Sequence, residues 1–475
     1  MSIRHFIFGF SLLLLAACAV GPDFERPQVE TPAAFKEAGD WQQAAPKDDI
    51  DRGDWWAVYD DPVLDGLEKK IEISNQNLKA AEAAYRSAQA VVEESRATLF
   101  PTVSVNSSDI RSGSIQPGSK AVSTYGLNST ASWTADVWGR IRRTVESSEA
   151  NAQASAADLV SARLSAQATL ATDYFGLRSQ DELQRLLDAT VKADKKILEI
   201  TRNQYKSGIT AESDVLAAQT QLETVQAQAI NAGVLRAQYE HAIAVLTGAP
   251  PSEFTLAAEP KFADKIPNVP TGMPSTLLER RPDVAAAERA VTAANAQIGV
   301  ATAAWFPDLT LSASYGYSSV VLGKLLQAST NLWSFGPSLA ETIFDAGARE
   351  AAVEQAKASY DESVATYRQT VLTAFQQVED NLSAGRILAD QTKASDAAVA
   401  DARRSEQLTL NQYKEGIIPY NTVLTAQTTT LSSEQSALTV RLNRLNTTVA
   451  LIQALGGGWC RRPSGPGPPA PARPF

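Results

Sequence analysis

NQYKSG at Asn203–Gly208 returns as NQYKEG at Asn411–Gly416, 208 residues further along the chain. Each copy interrupts a long run rich in Ala, Gln, Thr and Ser with one glycine, the residue that most readily leaves a helix through positive φ. We therefore expect tight turns at Gly208 and Gly416, each at the tip of a long helical hairpin. An offset of this length is too large for a solenoid repeat and indicates that a whole structural half has been duplicated.

A second pair of similar segments supports the duplication. Leu99–Val105 reads LFPTVSV and Trp305–Leu311 reads WFPDLTL, an offset of 206 residues. Each half is therefore predicted to contain a helix, a strand, a loop, a strand, a long helix, a turn and a helix. The predicted boundaries place the first repeat at residues 61–248 and the second at residues 274–456.

The segments outside the repeats are rich in helix-breaking residues. Residues 18–60 contain several prolines and are predicted to form an irregular tether, and residues 249–273 a Pro-rich linker. Residues 457–475 are rich in Gly, Pro and Arg, and we expect them to be disordered. The adjacent Trp55 and Trp56 are interpreted as packing anchors rather than ligand contacts.

The N-terminus has the pattern of an export signal. Arg4 precedes an apolar run, Phe6–Ala16, which is too short to span a bilayer and is typical of a signal peptide, here residues 1–17. The run ends in LAAC at Leu15–Cys18, which resembles a bacterial lipobox and predicts a covalent lipid on Cys18. Ala19 rather than Asp follows it, which fits sorting to the outer membrane. The alternative is an ordinary export signal with an incidental cysteine.

Composition excludes several classes of function. The formal net charge is −10, from 43 Lys+Arg and 53 Asp+Glu, and no basic run offers a footprint for nucleic-acid phosphates. The chain contains two histidines and two cysteines. These residues cannot build a His-pair metal site, a zinc knuckle or a disulfide framework. No set of residues with the spacing of a catalytic site is present, so we expect no enzyme activity and no cofactor or metal.

Three segments alternate apolar and polar residues with the period of a β-strand. Val103 and Val105 alternate with Ser104 and Asn106 and suggest a further strand before them. The apolar positions of the three segments are Tyr125, Leu127, Ala131 and Trp133; Leu309, Leu311, Ala313, Tyr315 and Tyr317; and Trp333, Phe335, Pro337 and Leu339. Lipid-facing strands with aromatic belts near both interfaces have this pattern, although a soluble sandwich strand can share it. The predicted belt residues are Tyr125, Trp133, Tyr315, Tyr317, Trp333 and Phe335. Pro337 is awkward in a central strand and predicts a bulge or distortion.

About four strands emerge from each chain, which is too few to close a membrane barrel. Open strand edges are not tolerated in lipid, so strands within a membrane must be completed by other copies of the chain. Two copies would supply eight strands and three would supply twelve. The strand pattern alone does not decide between them.

Two long runs, residues 140–206 and 348–414, are predicted to be uninterrupted helices, because each has 67 residues and no proline. At ~1.5 Å per residue each would reach about 100 Å. Val364, Val371 and Val378 recur every seven residues, as in a coiled coil. Polar residues on the remaining faces predict helices that project into water. A shorter helix is predicted from Val63 to Leu99, and a loop from Ile110 to Ser123.

With these features the sequence resembles the outer membrane efflux proteins, the TolC-like outer membrane factors, in their lipoprotein branch. The segments that carry the resemblance are Leu15–Phe24, Asp54–Trp56, Asn77–Leu78, Leu278–Val284, Phe306–Pro307, the two glycine turns and Ala454–Trp459. The resemblance covers nearly the whole chain up to Trp459. It does not include residues 460–475.

The resemblance implies a mainly α fold with membrane β-strands. Each chain of a homotrimer would give four strands to one twelve-stranded outer-membrane β-barrel, continued by a long α-helical coiled-coil barrel across the periplasm. The conduit would be passive and would dock a periplasmic adaptor and an inner-membrane pump. Its expected role is drug or small-molecule efflux.

The resemblance also suggests where a gate lies, near the two turns. The candidate gate residues are Glu212, Asp214, Tyr413, Lys414, Thr425 and Thr428. Tyr413 and Lys414 match a Tyr-plus-basic pair of the family. The family often has an acidic residue and a basic residue where this chain has Thr425 and Thr428, so the chain departs from a charge-latched tip. Glu212 and Asp214 could form a negative ring at the mouth, or could be solvated helix residues.

Two other functions remain open at this point. A protein-secretion outer channel would share the architecture, and a structural coiled-coil lipoprotein without a pore would share the helices. The pore-less protein would carry its strands in solvent, so it would stay soluble once the lipid on Cys18 was removed.

Overall fold

The structure is a computed structural model that describes residues 19–32, 35–37, 54–115, 120–259, 266–267 and 280–457. The signal peptide, Cys18 and the predicted tail from residue 458 onward lie outside these residues. The helices are α1 Pro62–Ser74, α2 Gln76–Ala97, α3 Arg140–Lys206, α4 Glu212–Leu246, α5 Pro282–Ala303, α6 Ala348–Lys414 and α7 Tyr420–Ala454. The strands are β1 Thr102–Ser112, β2 Val122–Ala135, β3 Asp308–Ser319 and β4 Asn331–Ala340.

The chain divides into two compact units, and each unit draws residues from both sequence repeats. Among the described residues, the first contains 19–29, 82–115, 120–158 and 283–370, and therefore all four strands. The second contains 30–32, 35–37, 54–81, 159–259, 266–267, 280–282 and 371–457, and therefore both glycine turns. The long helices α3 and α6 contribute residues to both units.

The four strands of the first unit form one antiparallel sheet in the order β1-β2-β3-β4. In the first hairpin Thr102 lies opposite Ser132, and in the second Asp308 lies opposite Ala340. These two pairs differ by the 206- and 208-residue offsets of the sequence repeats. The duplication therefore preserved the hairpin register to the residue.

Three expectations need correction. The helix predicted from Val63 to Leu99 is two helices, because Asn75 ends α1 in an extended conformation. Its Nδ2 donates to the Leu246 carbonyl at 2.8 Å and its Oδ1 accepts from Leu78 N at 3.1 Å. The side chain therefore links α1, α2 and the end of α4.

The predicted loop from Ile110 to Ser123 is shorter, because β1 continues to Ser112 and β2 begins at Val122. Pro337 lies opposite Leu311 with no break in register. The predicted bulge is therefore absent in the single chain, where β4 pairs on one side only.

The core of the second unit confirms the interpretation of the tryptophan pair. Trp55 and Trp56 are both 2% exposed and belong to a cluster with Tyr174 and Phe175. The Trp55 indole N–H donates to Gln167 Oε1 at 3.2 Å. The two indoles therefore fill the helical core and present no ligand-binding surface.

The long helices have the predicted limits. The heptad positions Val371 and Val378 are buried, and Val364 is half-buried. In α3, Leu164, Ala168, Ala171 and Phe175 form a similar stripe of buried residues. Among the described residues, none of the helices combines the length and apolar character needed to span a bilayer.

Candidate functional site

One face of the sheet carries most of its apolar residues, and toward the hairpin end of β1 the same face also carries Ser107, Asp109 and Arg111. Residues directly opposite each other in antiparallel strands project to the same face, so the register assigns every side chain. The apolar residues on this face, proline included, are Val103, Val105, Tyr125, Leu127, Ala131, Trp133, Ala135, Leu309, Leu311, Ala313, Tyr315, Tyr317, Trp333, Phe335, Pro337 and Leu339. The three segments read separately from the sequence thus form a single surface.

This apolar face is not covered within the first unit. Trp333 is 76% exposed, Phe335 70% and Tyr315 54%. Along β3 the apolar stripe from Leu309 to Tyr317 extends about 26 Å at the usual rise of a strand. A barrel tilt of about 40° leaves a band ~20 Å tall, close to the ~25 Å band of outer membrane barrels. The face therefore matches lipid in height and in chemistry.

Aromatic rings lie toward both ends of the band. Tyr125, Tyr317 and Trp333 are each within three residues of the hairpin end of their strands. Trp133 lies near the opposite end, where its indole N–H donates to the Leu99 carbonyl at 2.8 Å. The Tyr315 and Tyr317 rings meet edge to face at 6.0 Å. Tyr125, Tyr317, Trp333 and Trp133 thus lie where the predicted belts require, whereas Phe335 lies opposite Ala313 in the middle of the sheet, away from either belt.

The opposite face is polar. Its residues in the middle of the sheet are Ser, Thr, Asn and Gly, and neighbouring hydroxyls hydrogen-bond across strands. Ser104 Oγ lies 2.7 Å from Thr130 Oγ1, and Ser314 Oγ lies 2.8 Å from Ser334 Oγ. Such a surface is suited to contact water.

An aspartate that the sequence analysis missed lies a few residues before the start of each long helix, Asp136 before α3 and Asp345 before α6. Asp136 accepts backbone N–H bonds from Ile141 and Arg142, each at 2.9 Å. Asp345 accepts from Arg349 N at 3.1 Å and from its Nε at 2.6 Å. These carboxylates satisfy the otherwise unpaired first N–H groups of the helices. The signal available in the sequence was an Asp four residues before an Arg in both halves, Asp136 with Arg140 and Asp345 with Arg349.

In the second unit the two glycine turns have the same geometry. Gly208 and Gly416 both have φ of +74°. Gly208 N donates to the Tyr205 carbonyl at 2.9 Å, and Gly416 N donates to the Tyr413 carbonyl at 2.9 Å. The next residue in each turn, an isoleucine, closes a wider backbone bond to the residue five positions before it. This is the left-handed helix ending that was expected of both glycines.

The helices beside the turns share a small core. Tyr413 is 3% exposed; its hydroxyl lies 2.9 Å from Thr201 Oγ1, and its ring lies 5.8 Å from the Tyr420 ring. Of the predicted gate pair, Tyr413 therefore joins α6 to α3, whereas Lys414 is exposed.

The remaining candidate gate residues are not brought together. Glu212 is exposed, and Asp214 accepts a hydrogen bond from Thr210 Oγ1. Thr425 and Thr428 are exposed, and their hydroxyls donate to carbonyls of their own helix. Within one chain these residues make no contact with one another that could act as a latch.

A buried pair nearby was missed. Gln427 Nε2 donates to Asp194 Oδ1 at 3.1 Å, while Asp194 Oδ2 and Gln427 Oε1 are buried without a hydrogen-bond partner. Burial raises the pKa of the Asp194 carboxyl to about 6, against the lowering effect of the Gln427 hydrogen bond. Nearby Glu406 also raises this pKa. If Asp194 Oδ2 carried a proton, it would be a hydrogen-bond donor and Gln427 Oε1 an acceptor, so neither oxygen would need to stay unpaired.

Comparison with known proteins agrees with this geometry. The family model described as "Outer membrane efflux protein" matches residues 67–249 and again residues 273–457. The solvent efflux pump outer membrane protein SrpC of Pseudomonas putida is 31% identical over 459 residues, covering 95% of this chain and 97% of that protein. The toluene efflux pump outer membrane protein TtgC, also of Pseudomonas putida, is 30% identical over 455 residues, covering 94% of each chain.

The outer-membrane channel OprN has a similar structure, with a TM-score of 0.86 at 30% identity over 93% of this chain and all of that chain. The fold class is confirmed: a mainly α chain with duplicated halves and four strands, the architecture of trimeric outer membrane channels. Localisation to the outer membrane is confirmed as well. The chain belongs to the outer membrane efflux protein family and is an outer membrane channel component of an efflux system.

Proposed function

We propose that three copies of this chain close their sheets into one twelve-stranded barrel and export small organic molecules through it as the outer part of a tripartite pump. The observation that carries the proposal is the two-sided sheet. Its apolar face has the height and aromatic belts of a lipid-facing surface, and its polar face suits a water-filled lumen. Four strands with two open edges cannot seal a pore alone, so the geometry favours assembly.

Conductance of purified protein tests the pore. Protein extracted in mild detergent and added to a planar bilayer should give discrete current steps. A matched pair of preparations, with and without chemical cross-linking of the assembled copies, would tie these steps to the oligomer. Protein that inserts as an oligomer yet passes no current, even after the tip is removed by proteolysis, would contradict the proposal.

The second unit is proposed to dock a periplasmic adaptor, which couples the channel to an inner-membrane pump. Ile209 and Ile417 follow the two glycines and are about two-thirds exposed. Exposed isoleucines at equivalent positions of both turns offer a repeated apolar contact. Replacing both with Asp should abolish efflux in cells that express the adaptor and pump. Conductance of the purified variant should be unchanged, because the turns remain intact.

The substrate class is proposed from the relatives. SrpC and TtgC are named for solvent and toluene efflux, so we propose that this chain serves export of small apolar organic molecules. Cells that lack the protein should accumulate a solvatochromic dye and toluene, and re-expression of the protein should restore the export of both molecules. If re-expression restored the secretion of a protein but the export of neither small molecule, the result would favour a protein-secretion channel.

Attachment of the protein through a lipid on Cys18 is also proposed. The mass of the N-terminal peptide should exceed that of the unmodified peptide by a diacylglyceryl group and an acyl chain. Cys18→Ser should lose this mass. Recovery of an unmodified Cys18 peptide from outer membranes would refute the anchor.

A further inference from the structure

The two edges of the sheet determine how copies of the chain can meet. β1 and β4 pair on one side only within the described residues, and every residue of β1 is exposed. The proposed trimer, on which this inference rests, must pair β4 of one copy with β1 of the next. The internal repeat indicates which residues of the two edges lie opposite each other.

The repeat offsets can be checked against the register that the structure shows. Within the first hairpin, Ser104 lies opposite Thr130. Adding the offset of 206 to Ser104 gives Thr310, and adding 208 to Thr130 gives Ser338. These two residues lie opposite each other in the second hairpin. The same offsets therefore relate every pair of the two hairpins, and they can be applied to the boundary between the repeats.

That boundary is the pairing of β2 with β3, where Ala131 lies opposite Ala313 and Ala135 opposite Leu309. Its counterpart at the end of the second repeat is β4 against the β1 of a neighbouring copy. Adding 208 to the residue numbers of β2 gives those of β4, and subtracting 206 from the residue numbers of β3 gives those of β1 in the neighbouring copy. We propose that Trp333–Ile343 of one copy pairs antiparallel with Val103–Gly113 of the next, with Leu339 opposite Ser107.

The faces of the sheet agree with this register. Leu339 and Ser107 both project from the apolar face, and Ala340 and Asn106 both project from the polar face. A slip of one residue would join the apolar face of one copy to the polar face of the next. The register obtained from the repeat is therefore one that keeps lipid and lumen on separate sides around the barrel.

The end of β4 gives an independent reason. β2 continues to Ala135, whose repeat counterpart is Ile343, but β4 ends at Ala340 in the single chain. β2 is held to its end by β3, where Ala135 pairs with Leu309. A β1 strand from the next copy would extend β4 in the same way, through residues 341–343.

Exposed apolar side chains lie where the two copies would meet. Ile343 is 93% exposed and Phe344 85% on one edge, and Phe100 is 67% exposed at the start of the other. At the boundary inside the chain, the Trp138 ring stacks on Phe306 at 4.7 Å. Phe306 is the repeat counterpart of Phe100, but the counterpart of Trp138 is Ala346, so the repeat brings Ala346 of the neighbouring copy, and not a ring, toward Phe100.

Disulfide trapping in outer membranes tests the register. In a Cys460→Ser background, the matched pairs are Ser107→Cys with Leu339→Cys and Asn106→Cys with Ala340→Cys. Neighbouring pairs alternate between wide and narrow Cα separations, so one of the two suits a disulfide. The slipped controls are Ser107→Cys with Glu341→Cys and Asn106→Cys with Ser338→Cys. A bond within one chain is excluded, since the edges are about three strand spacings, ~14 Å, apart.

Under mild oxidation the better matched pair should give covalent dimers and trimers about tenfold faster than either slipped pair, and reductant should reverse them. Faster trapping of a slipped pair would overturn the register. Trapping of no pair in a protein whose native mass is still that of three copies would overturn the edge pairing. A protein that is monomeric in detergent would instead contradict the trimer itself, so the two failures are distinguishable.

Discussion

At the scale of single residues, neighbours in the sheet face different surroundings. Ala313 projects from the apolar face and Ser314 from the polar face, halfway along the same strand. Their backbone conformation and strand neighbours are nearly the same. A single charge placed at each position therefore reports the solvent on that side of the sheet.

Ala313→Arg should destabilise the assembled protein by about 2–4 kcal/mol, because a charge at the lipid midplane is poorly solvated. Ser314→Arg should cost little and should shift the ion selectivity of the pore toward anions. Urea unfolding in vesicles measures the first effect, and reversal potentials across a salt gradient measure the second. Equal tolerance of both substitutions would contradict the assignment of the faces.

Asp194 makes the second unit sensitive to pH. Its pKa is raised to about 6 in the folded chain and is near 3.8 when unfolded, so folding favours the protonated form. As pH rises from about 4 to about 6, the unfolded chain ionises first and the fold loses stability. Acidification from pH 7.5 to 5 should therefore stabilise the helices around Asp194.

Asp194→Asn should weaken this dependence around residue 194 and raise stability at pH 7.5 by on the order of 1–3 kcal/mol, because the amide can bond Gln427 without a charge. Burial also raises the pKa of Asp173 on the same helix, so part of the dependence should remain. Hydrogen exchange of α3 and α7 at pH 5 and pH 7.5 measures it. Asp188→Asn, an exposed position on the same helix, is the control. An unchanged difference between the two pH values in Asp194→Asn would exclude Asp194 as its source.

At the scale of elements, substitutions in the two turns test how much stability depends on a glycine at positive φ. A Cβ at Gly208 or Gly416 would meet no atom within 4 Å. The cost of Ala there is therefore a backbone cost alone, about 1 kcal/mol for each turn. Gly233 lies in the exposed middle of α4, also with open space around it, so Gly233→Ala should stabilise by about 0.5–1 kcal/mol.

Hydrogen exchange near the turns should rise in Gly208→Ala and Gly416→Ala, and fall locally in Gly233→Ala. Asn at either turn should be milder than Ala, since Asn tolerates the left-handed region. If Ala at the turns left exchange unchanged, the glycines would not be needed for the turn geometry.

Elements with a strong periodic pattern were predictable from the sequence. The 67-residue helices have the expected ends because each begins after a strand, ends at a glycine turn and contains no proline. The strand pattern indicated which residues share a face, but pairing extended β2, β3 and β4 by one to three residues at their ends and β1 from Val105 to Ser112. The break at Asn75 depends on a contact with Leu246, 171 residues away, which no local pattern contains.

The Asp194–Gln427 pair shows where repeat analysis ends. Gln427 has a repeat counterpart, Gln219, but the counterpart of Asp194 is Ala402. The pair joins residues 233 positions apart and occurs in only one half of the duplication. Nothing in the local sequence of α3 separates Asp194 from its solvated neighbours.

At the scale of the whole molecule, the sheet has an apolar face without cover and two edges without partners in the described chain. Both conditions are costly in water, and a single chain in lipid would still leave the edges unsatisfied. Assembly of three copies resolves both, since it pairs every edge and gives one face to lipid and the other to the lumen.

The native mass of the protein extracted from outer membranes in mild detergent tests this account most directly. We predict particles that contain three copies of the mature chain and that persist on dilution, because each interface would join two strand edges. A stable monomer that remains soluble after the detergent is removed would contradict the account.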